Sequence, residues 1–200
     1  MIELACATSN PGKLAEFRLA AEAVPDAPPV EIELLPGLAA LPPCVEDGAS
    51  FEANALLKAR HYGRYTAGFL FADDSGLMVD ALDGAPGVCS ARYSGAGATA
   101  QSNNRLLLEN LRGVKRRTAA FVCAIALVEA GKPLGVFHGR VEGVILEEPR
   151  GSGGFGYDPL FFYPPFGCTF GEAGEDAKFR VSHRGQAMRE MLRYLAARRS

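Results

Sequence analysis

The chain has 200 residues, of which 48% are hydrophobic and 22% are charged, and its formal net charge is −2. A chain of this length and apolar content can bury one core, or two lobes that share a sheet. The slight net acidity argues against a protein that wraps nucleic acid, because such proteins need a basic surface for the phosphates. No apolar run approaches the ~20 residues that cross a bilayer, so we expect neither a nucleic-acid nor a membrane partner.

The cysteines and the first residues of the chain indicate a cytoplasmic protein. The chain opens on Met1-Ile2-Glu3-Leu4, which reads as the start of a strand without a basic leader, so export is not expected. An odd number of dispersed cysteines without C-x-x-C spacing predicts reduced core thiols rather than disulfides or a zinc site. They stand at Cys6, Cys44, Cys89, Cys123 and Cys168.

The first half of the chain alternates predicted strands and helices. Apolar periodicity predicts strands over residues 2–7, 30–35, 69–72 and 77–82, and helices over residues 11–24, 50–65 and 99–111. Asn10 is suited to cap the first helix and Pro11 to its first turn, where the missing N–H is tolerated. Residues 36–48 are rich in proline and glycine and are expected to form a loop.

The second half begins with a predicted hairpin. Long strands are predicted over residues 118–129 and 134–146, with a turn at residues 130–133. A glycine-rich loop at 151–154, a short strand at 160–163 and a final helix at 185–197 follow. Because a long hairpin follows strand–helix units, the pattern predicts an α/β fold with a mixed sheet.

The first candidate site is the segment Ala7-Thr8-Ser9-Asn10-Pro11-Gly12-Lys13, between a predicted strand and a predicted helix. The amino-terminal end of a helix presents backbone N–H groups and a positive dipole, and both favour phosphate. Lys13 adds a full charge, although the spacing is not that of a Walker A loop. The alternative interpretation is a simple turn and helix cap.

The second candidate site is Asp73-Asp74-Ser75-Gly76, predicted to follow the end of a strand. Successive side chains of a strand face opposite ways, so only one of the two aspartates can face a cleft, and the other is expected to fix the turn. Mg²⁺ prefers carboxylate oxygens, and Glu46 is a candidate second ligand. The alternative is a solvent-exposed turn.

The third candidate site suits a purine base. Phe155 or Tyr157 could stack on the ring, Asp158 could accept from a ring N–H, and Arg184 could donate to a ring carbonyl. Lys178 is placed to reach phosphate. For His183, the alternative is a role as the cap of the last helix.

Together these segments resemble the noncanonical purine NTP pyrophosphatases, also called inosine triphosphate pyrophosphatases. The matching segments occur in the family's order and are Ala-Thr-Ser-Asn-Pro-Gly-Lys (7–13), Phe-Glu-Ala-Asn-Ala (51–55), Ala-Asp-Asp-Ser-Gly-Leu (72–77), Gly-Ala-Pro-Gly-Val-Cys-Ser-Ala-Arg-Tyr-Ser-Gly (84–95), Gly-Gly-Phe-Gly-Tyr-Asp-Pro (153–159) and Ser-His-Arg-Gly-Gln-Ala (182–187). Ser9 stands where this family often has glycine. The match covers nearly the whole chain.

The resemblance implies Mg²⁺-dependent hydrolysis of ITP, dITP and XTP to the monophosphate and pyrophosphate, which clears deaminated purines from the nucleotide pool. It implies Asp74 as the proton acceptor and a metal ligand, and Glu46 as the other metal ligand. The implied substrate-binding residues are Thr8, Ser9, Asn10, Pro11, Gly12, Lys13, Ser75, Phe155, Gly156, Tyr157, Asp158, Lys178, His183 and Arg184.

The resemblance also implies an architecture. It is an elongated mixed β-sheet flanked by helices, in two lobes with a central active-site cleft that holds the nucleotide. A single catalytic domain over residues 1–200 and a homodimer are expected.

Other functions remain as alternatives. A related pyrophosphatase acting on modified pyrimidines or on nucleoside triphosphates in general is the nearest of them. A nucleotide-binding module without turnover would keep the phosphate site but lack working carboxylates, whereas Glu46 and Asp74 are both present. A nucleic-acid-binding protein should carry a basic stripe, against which the net charge argues.

Overall fold

A mixed β-sheet organises the chain. The structure is a computed structural model, in which residues 1–22 and 29–198 are described. The strands are β1 (Ile2–Cys6), β2 (Val30–Leu34), β3 (Phe69–Val79), β4 (Thr118–Glu129), β5 (Lys132–Ile145), β6 (Phe161–Tyr163) and β7 (Cys168–Thr169). The α-helices are α1 (Pro11–Glu22), α2 (Phe51–Tyr62), α3 (Ala100–Asn110), α4 (Glu175–Val181) and α5 (His183–Ala197).

The strands form one seven-stranded sheet in the order β2-β1-β3-β4-β5-β6-β7. Strand β1 pairs in parallel with β2, where Ile2 lies opposite Val30, and with β3, where Leu4 lies opposite Phe69. Strand β6 pairs in antiparallel fashion with β5 and β7. The sheet is therefore mixed, and the predicted α/β class is confirmed.

Most predicted elements are present with boundaries shifted by a few residues. The predicted helix over 11–24 is α1, described as far as Glu22, and residues 23 and 24 lie outside the described part of the chain. The predicted helix over 50–65 is α2 followed by a 3₁₀ turn at Gly63–Tyr65. Helix α4 and the short strand β7 were not predicted.

One prediction about the Asp-Asp segment is wrong. Residues 69–72 and 77–82 were predicted as two strands separated by a turn, but β3 runs without a break from Phe69 to Val79. Gly76 belongs to this strand for a packing reason, because a Cβ there would lie 2.2 Å from the Ser90 hydroxyl oxygen. Asp73 and Asp74 are therefore buried strand residues, and neither fixes a turn.

The chain divides into two compact units. The first takes its described residues from Met1–Asp74, Cys123–Gly139 and Ser182–Ser200. In this unit the two faces of β3 enter different cores. Phe71 packs in a core with Phe17 of α1 and Met188 of α5, whereas its neighbours Leu70 and Ala72 pack with apolar residues of α2. The alternation of β3 thus directs Asp73 toward the α1 and α5 side and Asp74 toward the α2 side.

The second unit comprises Ser75–Val122 and Arg140–Val181. Its core joins apolar residues of several elements, including Leu77 of β3, Leu107 of α3, Phe121 of β4 and Phe161 of β6. Helix α3 begins at a capping box, in which the Thr99 hydroxyl accepts from the Ser102 N–H and the Ser102 side chain binds the Thr99 backbone. A strongly held helix therefore borders this core.

The cysteines are less uniform than predicted. Cys6 and Cys123 are buried, Cys44 and Cys168 are half-buried, and Cys89 is exposed. The thiols are free, but only two of them are the core thiols that the sequence suggested. Within residues 1–22 and 29–198, no helix combines the length and hydropathy of a membrane span.

Candidate active site

The loop before α1 is ordered by its own side chains. The Asn10 side-chain oxygen accepts the backbone N–H of Gly12 at 2.9 Å and of Lys13 at 3.3 Å, so Asn10 is the helix cap that the sequence predicted. The Thr8 hydroxyl accepts the Asn10 N–H at 3.2 Å. Ser9, Asn10 and Pro11 are exposed, whereas Thr8 is buried. Two of the helix N–H groups that phosphate could use are thus already bound within the chain.

Asp73, which is buried, forms an ion pair with the half-buried lysine of that loop. The Lys13 ammonium lies 2.8 Å from Oδ2 of Asp73, whose side chain is only 2% exposed. Burial on its own would raise the pKa of Asp73, but the positive charges of Lys13, Lys58 and Arg184 outweigh it and lower the pKa from 3.8 to about 2. Asp73 is therefore an anchor for the lysine that the sequence assigned to phosphate.

Asp74 is held from the other face of the sheet by α2. The Asn54 amide donates to Oδ2 of Asp74 at 3.0 Å, and its oxygen accepts the Gly48 N–H at 2.8 Å. Burial raises the pKa of Asp74 above its usual range, although the charge of Lys58 and the hydrogen bond from Asn54 oppose the shift. A raised pKa makes a carboxylate a stronger base.

Lys58 lies between two carboxylates. Its ammonium is 2.9 Å from Glu46 Oε2 and 3.9 Å from Asp74 Oδ1. Burial would lower the pKa of Lys58, but the negative charges of Asp73, Asp74 and Glu46 raise it. Glu46 and Asp74, which the sequence proposed as metal ligands, thus both approach one positive charge.

The donor set of this cluster fits magnesium. Mg²⁺ in enzymes of phosphate chemistry usually takes one or two carboxylates, and phosphate oxygens and water complete its shell. Glu46 and Asp74 are a pair of that kind. Across the described ranges 1–22 and 29–198, no group of three or more His, Cys, Asp or Glu side chains forms a ready-made metal site, so substrate oxygens would have to contribute.

The first turn of α5 carries another buried ion pair. Arg184 Nη1 lies 2.7 Å from Oε2 of Glu16 in α1, and both side chains are less than 10% exposed. His183, the first residue of α5, is also buried. The helix cap is Ser182, whose hydroxyl accepts the Gly185 N–H at 3.1 Å, and His183 therefore does not serve as the cap.

The second unit contains the loop that the sequence assigned to the base. Oδ2 of Asp158 accepts the Phe155 N–H at 2.8 Å and lies 2.7 Å from the Lys178 ammonium. That ammonium also lies 5.4 Å from the centre of the Phe155 ring. Asp158 and Lys178 are buried, and Phe155 is half-buried. Asp158 therefore organises the loop and holds Lys178 against it.

The remaining residues of that unit differ in exposure. The Tyr157 ring lies in the core, and its hydroxyl donates to the Ser90 carbonyl at 2.8 Å. Of the two rings proposed for stacking, the accessible one is thus Phe155. Gly156 adopts a left-handed φ of 63°, and Ser75 is a half-buried residue of β3.

Three residues of these clusters were assigned no role from the sequence. Asn54 and Lys58 are four residues apart on α2 and face the same side, toward Asp74. Glu16 follows Lys13 by three residues and interrupts the buried apolar face of α1. The sequence did contain a signal for these three residues. Each is a charged or amide residue that falls, by helical spacing, on the apolar face of a predicted helix.

The fold and these clusters define a class: an α/β protein with a mixed sheet, in which two buried aspartates of β3 face half-buried lysines. Comparison with known proteins then places the chain. It matches the family model of the Ham1 family over residues 4–194, and it belongs to that family.

Individual relatives cover nearly the whole chain. It is similar to a dITP/XTP pyrophosphatase of Geobacter sulfurreducens, with 49% identity over 190 residues and 94% of each chain covered. A HAM1 protein from Coxiella burnetii has a similar structure, with a TM-score of 0.84, 39% identity, and 98% of this chain and 100% of that chain covered. The Staphylococcus aureus Ham1 protein matches with a TM-score of 0.85 and 33% identity, over 98% and 99% of the two chains.

Proposed function

We propose that this chain hydrolyses noncanonical purine nucleoside triphosphates, namely dITP, ITP and XTP, to the monophosphate and pyrophosphate. The observation that carries the proposal is the arrangement around β3, where Glu46 and Asp74 approach the Lys58 ammonium and Asp73 anchors Lys13. The relative named dITP/XTP pyrophosphatase, at 49% identity, supports the choice of substrate.

The proposed reaction is attack of water on the α-phosphorus. The water oxygen forms a bond to phosphorus, the bond from phosphorus to the bridging oxygen of the β-phosphate breaks, and pyrophosphate leaves with that oxygen. Asp74 takes the proton from the attacking water, and its raised pKa suits that role. No covalent intermediate with the protein is needed.

The positive side chains of the first unit would offset the charge that develops on the leaving group. Lys13 stands at the start of α1 and is proposed to turn from Asp73 toward the phosphate chain, together with Thr8, Ser9, Asn10, Pro11 and Gly12 of its loop. Mg²⁺ held by Glu46 and Asp74 would supply further charge neutralisation when bound. Asn54 keeps Asp74 in place on the α2 side.

Base recognition is proposed for the residues that the sequence grouped together. Phe155 supplies the stacking ring, and Asp158, His183 and Arg184 are proposed to supply polar contacts to the base. Lys178 is proposed to reach the phosphate chain. Hypoxanthine and xanthine carry a carbonyl at C6 and a proton on N1, whereas adenine has an amino group and a bare nitrogen. Polar groups of the site that match hypoxanthine and xanthine would be left without partners when adenine binds. Such unpaired groups can lower kcat/KM for the wrong substrate by about 10⁴-fold.

Domain organisation, oligomeric state and location are also proposed. The family match over residues 4–194 supports one catalytic domain over the whole chain. A homodimer and a cytoplasmic location are proposed by analogy with the family resemblance of the sequence. The acidic net charge agrees with a small-molecule substrate rather than nucleic acid.

The test is pyrophosphate release from a panel of triphosphates. The chain should act on dITP, ITP and XTP far faster than on dATP, dGTP, dCTP and dUTP, and chelation of Mg²⁺ by EDTA should abolish the activity. Uniform rates across the panel, or a preference for pyrimidines, would favour the alternative substrate classes. Binding of dITP without turnover in the presence of Mg²⁺ would show a nucleotide-binding module instead.

A further inference from the structure

Asn104 of α3 makes one directed contact outside its own helix. Its Nδ2 donates to the carbonyl oxygen of Gly156 at 3.0 Å. A carbonyl oxygen can only accept, so the amide nitrogen must face Gly156, and the orientation of the Asn104 side chain is thereby settled. The contact joins a helix with a capping box to the loop assigned to the base.

The accepted carbonyl belongs to the central peptide of a turn in that loop. The Phe155 carbonyl accepts the Asp158 N–H at 3.3 Å, which makes Gly156 and Tyr157 the central residues of a four-residue turn. The peptide between two central residues is the one whose rotation converts one turn type into another. Gly156, with its φ of 63° and no Cβ, leaves that rotation open.

The two ends of the turn, Phe155 and Asp158, are held by contacts of the Asp158 side chain. Asp158 accepts the Phe155 N–H at 2.8 Å and pairs with Lys178 at 2.7 Å. These contacts hold the two ends of the turn, but they do not touch the carbonyl of Gly156. The hydrogen bond from Asn104 acts on the central peptide, and it keeps the Gly156 carbonyl on the α3 side and the Tyr157 N–H on the opposite side.

We propose that Asn104 is a positioning residue for base specificity, which acts by locking the central peptide of the Phe155–Asp158 turn. The inference rests on the proposed function, in which this turn carries the stacking ring and a polar contact to the base. Discrimination between hypoxanthine and adenine requires polar groups that do not move to suit the wrong base. A turn whose central peptide can rotate adapts to both bases and distinguishes them less.

The test compares two substrates on single preparations of each variant. Asn104→Ala removes the donor, and Asn104→Asp replaces it with an oxygen that repels the Gly156 carbonyl. In both variants the ratio of kcat/KM for dITP to kcat/KM for dATP should fall about tenfold, mainly through dITP. The matched control is Asn110→Ala, because Asn110 lies on the same helix and donates to the Tyr93 hydroxyl instead. It should leave the ratio within twofold of the unchanged chain.

The ratio separates positioning from stability. A variant that is merely destabilised has less active enzyme for both substrates equally, so its ratio does not change, and any preparation with measurable activity answers the question. An unchanged ratio in both Asn104 variants, or an equal fall in Asn110→Ala, would overturn the inference and leave the proposed function intact. Failure of the unchanged chain to hydrolyse dITP would overturn the proposed function, and the inference with it.

Discussion

Replacing Asp73 with asparagine measures what the buried carboxylate contributes to the fold. In the folded chain the pKa of Asp73 is about 2, against an ordinary value of 3.8. One pKa unit corresponds to about 1.4 kcal/mol, so the ionised carboxylate stabilises the fold by about 2 kcal/mol at pH 7. Asparagine has the same shape but no charge, and it leaves Lys13, Lys58 and Arg184 without this counter-charge. Asp73→Asn should therefore lower the free energy of unfolding by about 2 kcal/mol at pH 7.

The effect has a defined pH dependence. Because the pKa is lowered in the folded state, the stabilisation is present in full above the unfolded value of 3.8 and is lost as the pH falls through about 2. At pH 3, about 1 kcal/mol of the difference between the two proteins should remain. Other carboxylates also titrate in this range, but they are common to both proteins and cancel in the comparison.

The assay is urea denaturation of both proteins between pH 7 and pH 3. The chain has no tryptophan, so far-ultraviolet circular dichroism is the suitable probe. Asp176→Asn is the matched control, because Asp176 is an exposed residue of α4 and its loss should cost well under about 1 kcal/mol. Equal stabilities of Asp73→Asn and the unchanged chain at pH 7, or a difference that does not narrow toward pH 3, would refute the reasoning.

The remaining predictions concern the proposed chemistry. Asp74→Asn should lower kcat for dITP by about a hundredfold or more, because an amide cannot accept the proton, and near-normal turnover with Mg²⁺ would contradict the assigned role. Lys13→Ala should weaken ITP binding by about tenfold or more and inosine binding far less, as measured by calorimetry; equal losses would assign Lys13 to structure or to the base. Arg184→Ala should lower kcat/KM for ITP more than for ATP, and an equal factor for both would show that Arg184 does not read the base.

Local signals in the sequence were sufficient for most of the fold. The bounds of β4 follow from its long apolar run, and the cap at Asn10 follows from a side chain that accepts helix N–H groups. Helix α4 was not predicted because it is short and mostly polar. Its buried residues are Lys178 and Phe179, which do not form an apolar stripe at helical spacing. Its Lys178 is paired with Asp158, which is distant in the chain, and local sequence patterns do not show such a contact.

The Asp-Asp segment shows why local signals failed at the site. Two aspartates followed by serine and glycine have the composition of an exposed turn, and propensity alone disfavours a strand there. In the structure each aspartate has a partner from a different helix, since Lys13 binds Asp73 and Asn54 binds Asp74. Those long-range contacts offset the burial of the carboxylates and allow β3 to continue.

The same reasoning explains why the orientation of the two aspartates was predicted but the role of Lys58 was not. The sequence correctly indicated that the two aspartates face opposite sides, because alternation is a property of the strand itself. It gave no role to Lys58, because the distance from its ammonium to Glu46 depends on how the loop before α2 folds back over that helix. This loop is held by the Gly48 N–H at Asn54 and by the Cys44 N–H at the Tyr62 hydroxyl. Glu46 and Asp74 could thus be proposed as a pair from sequence, whereas Lys58, whose ammonium lies near both, is found only when α2 is in place.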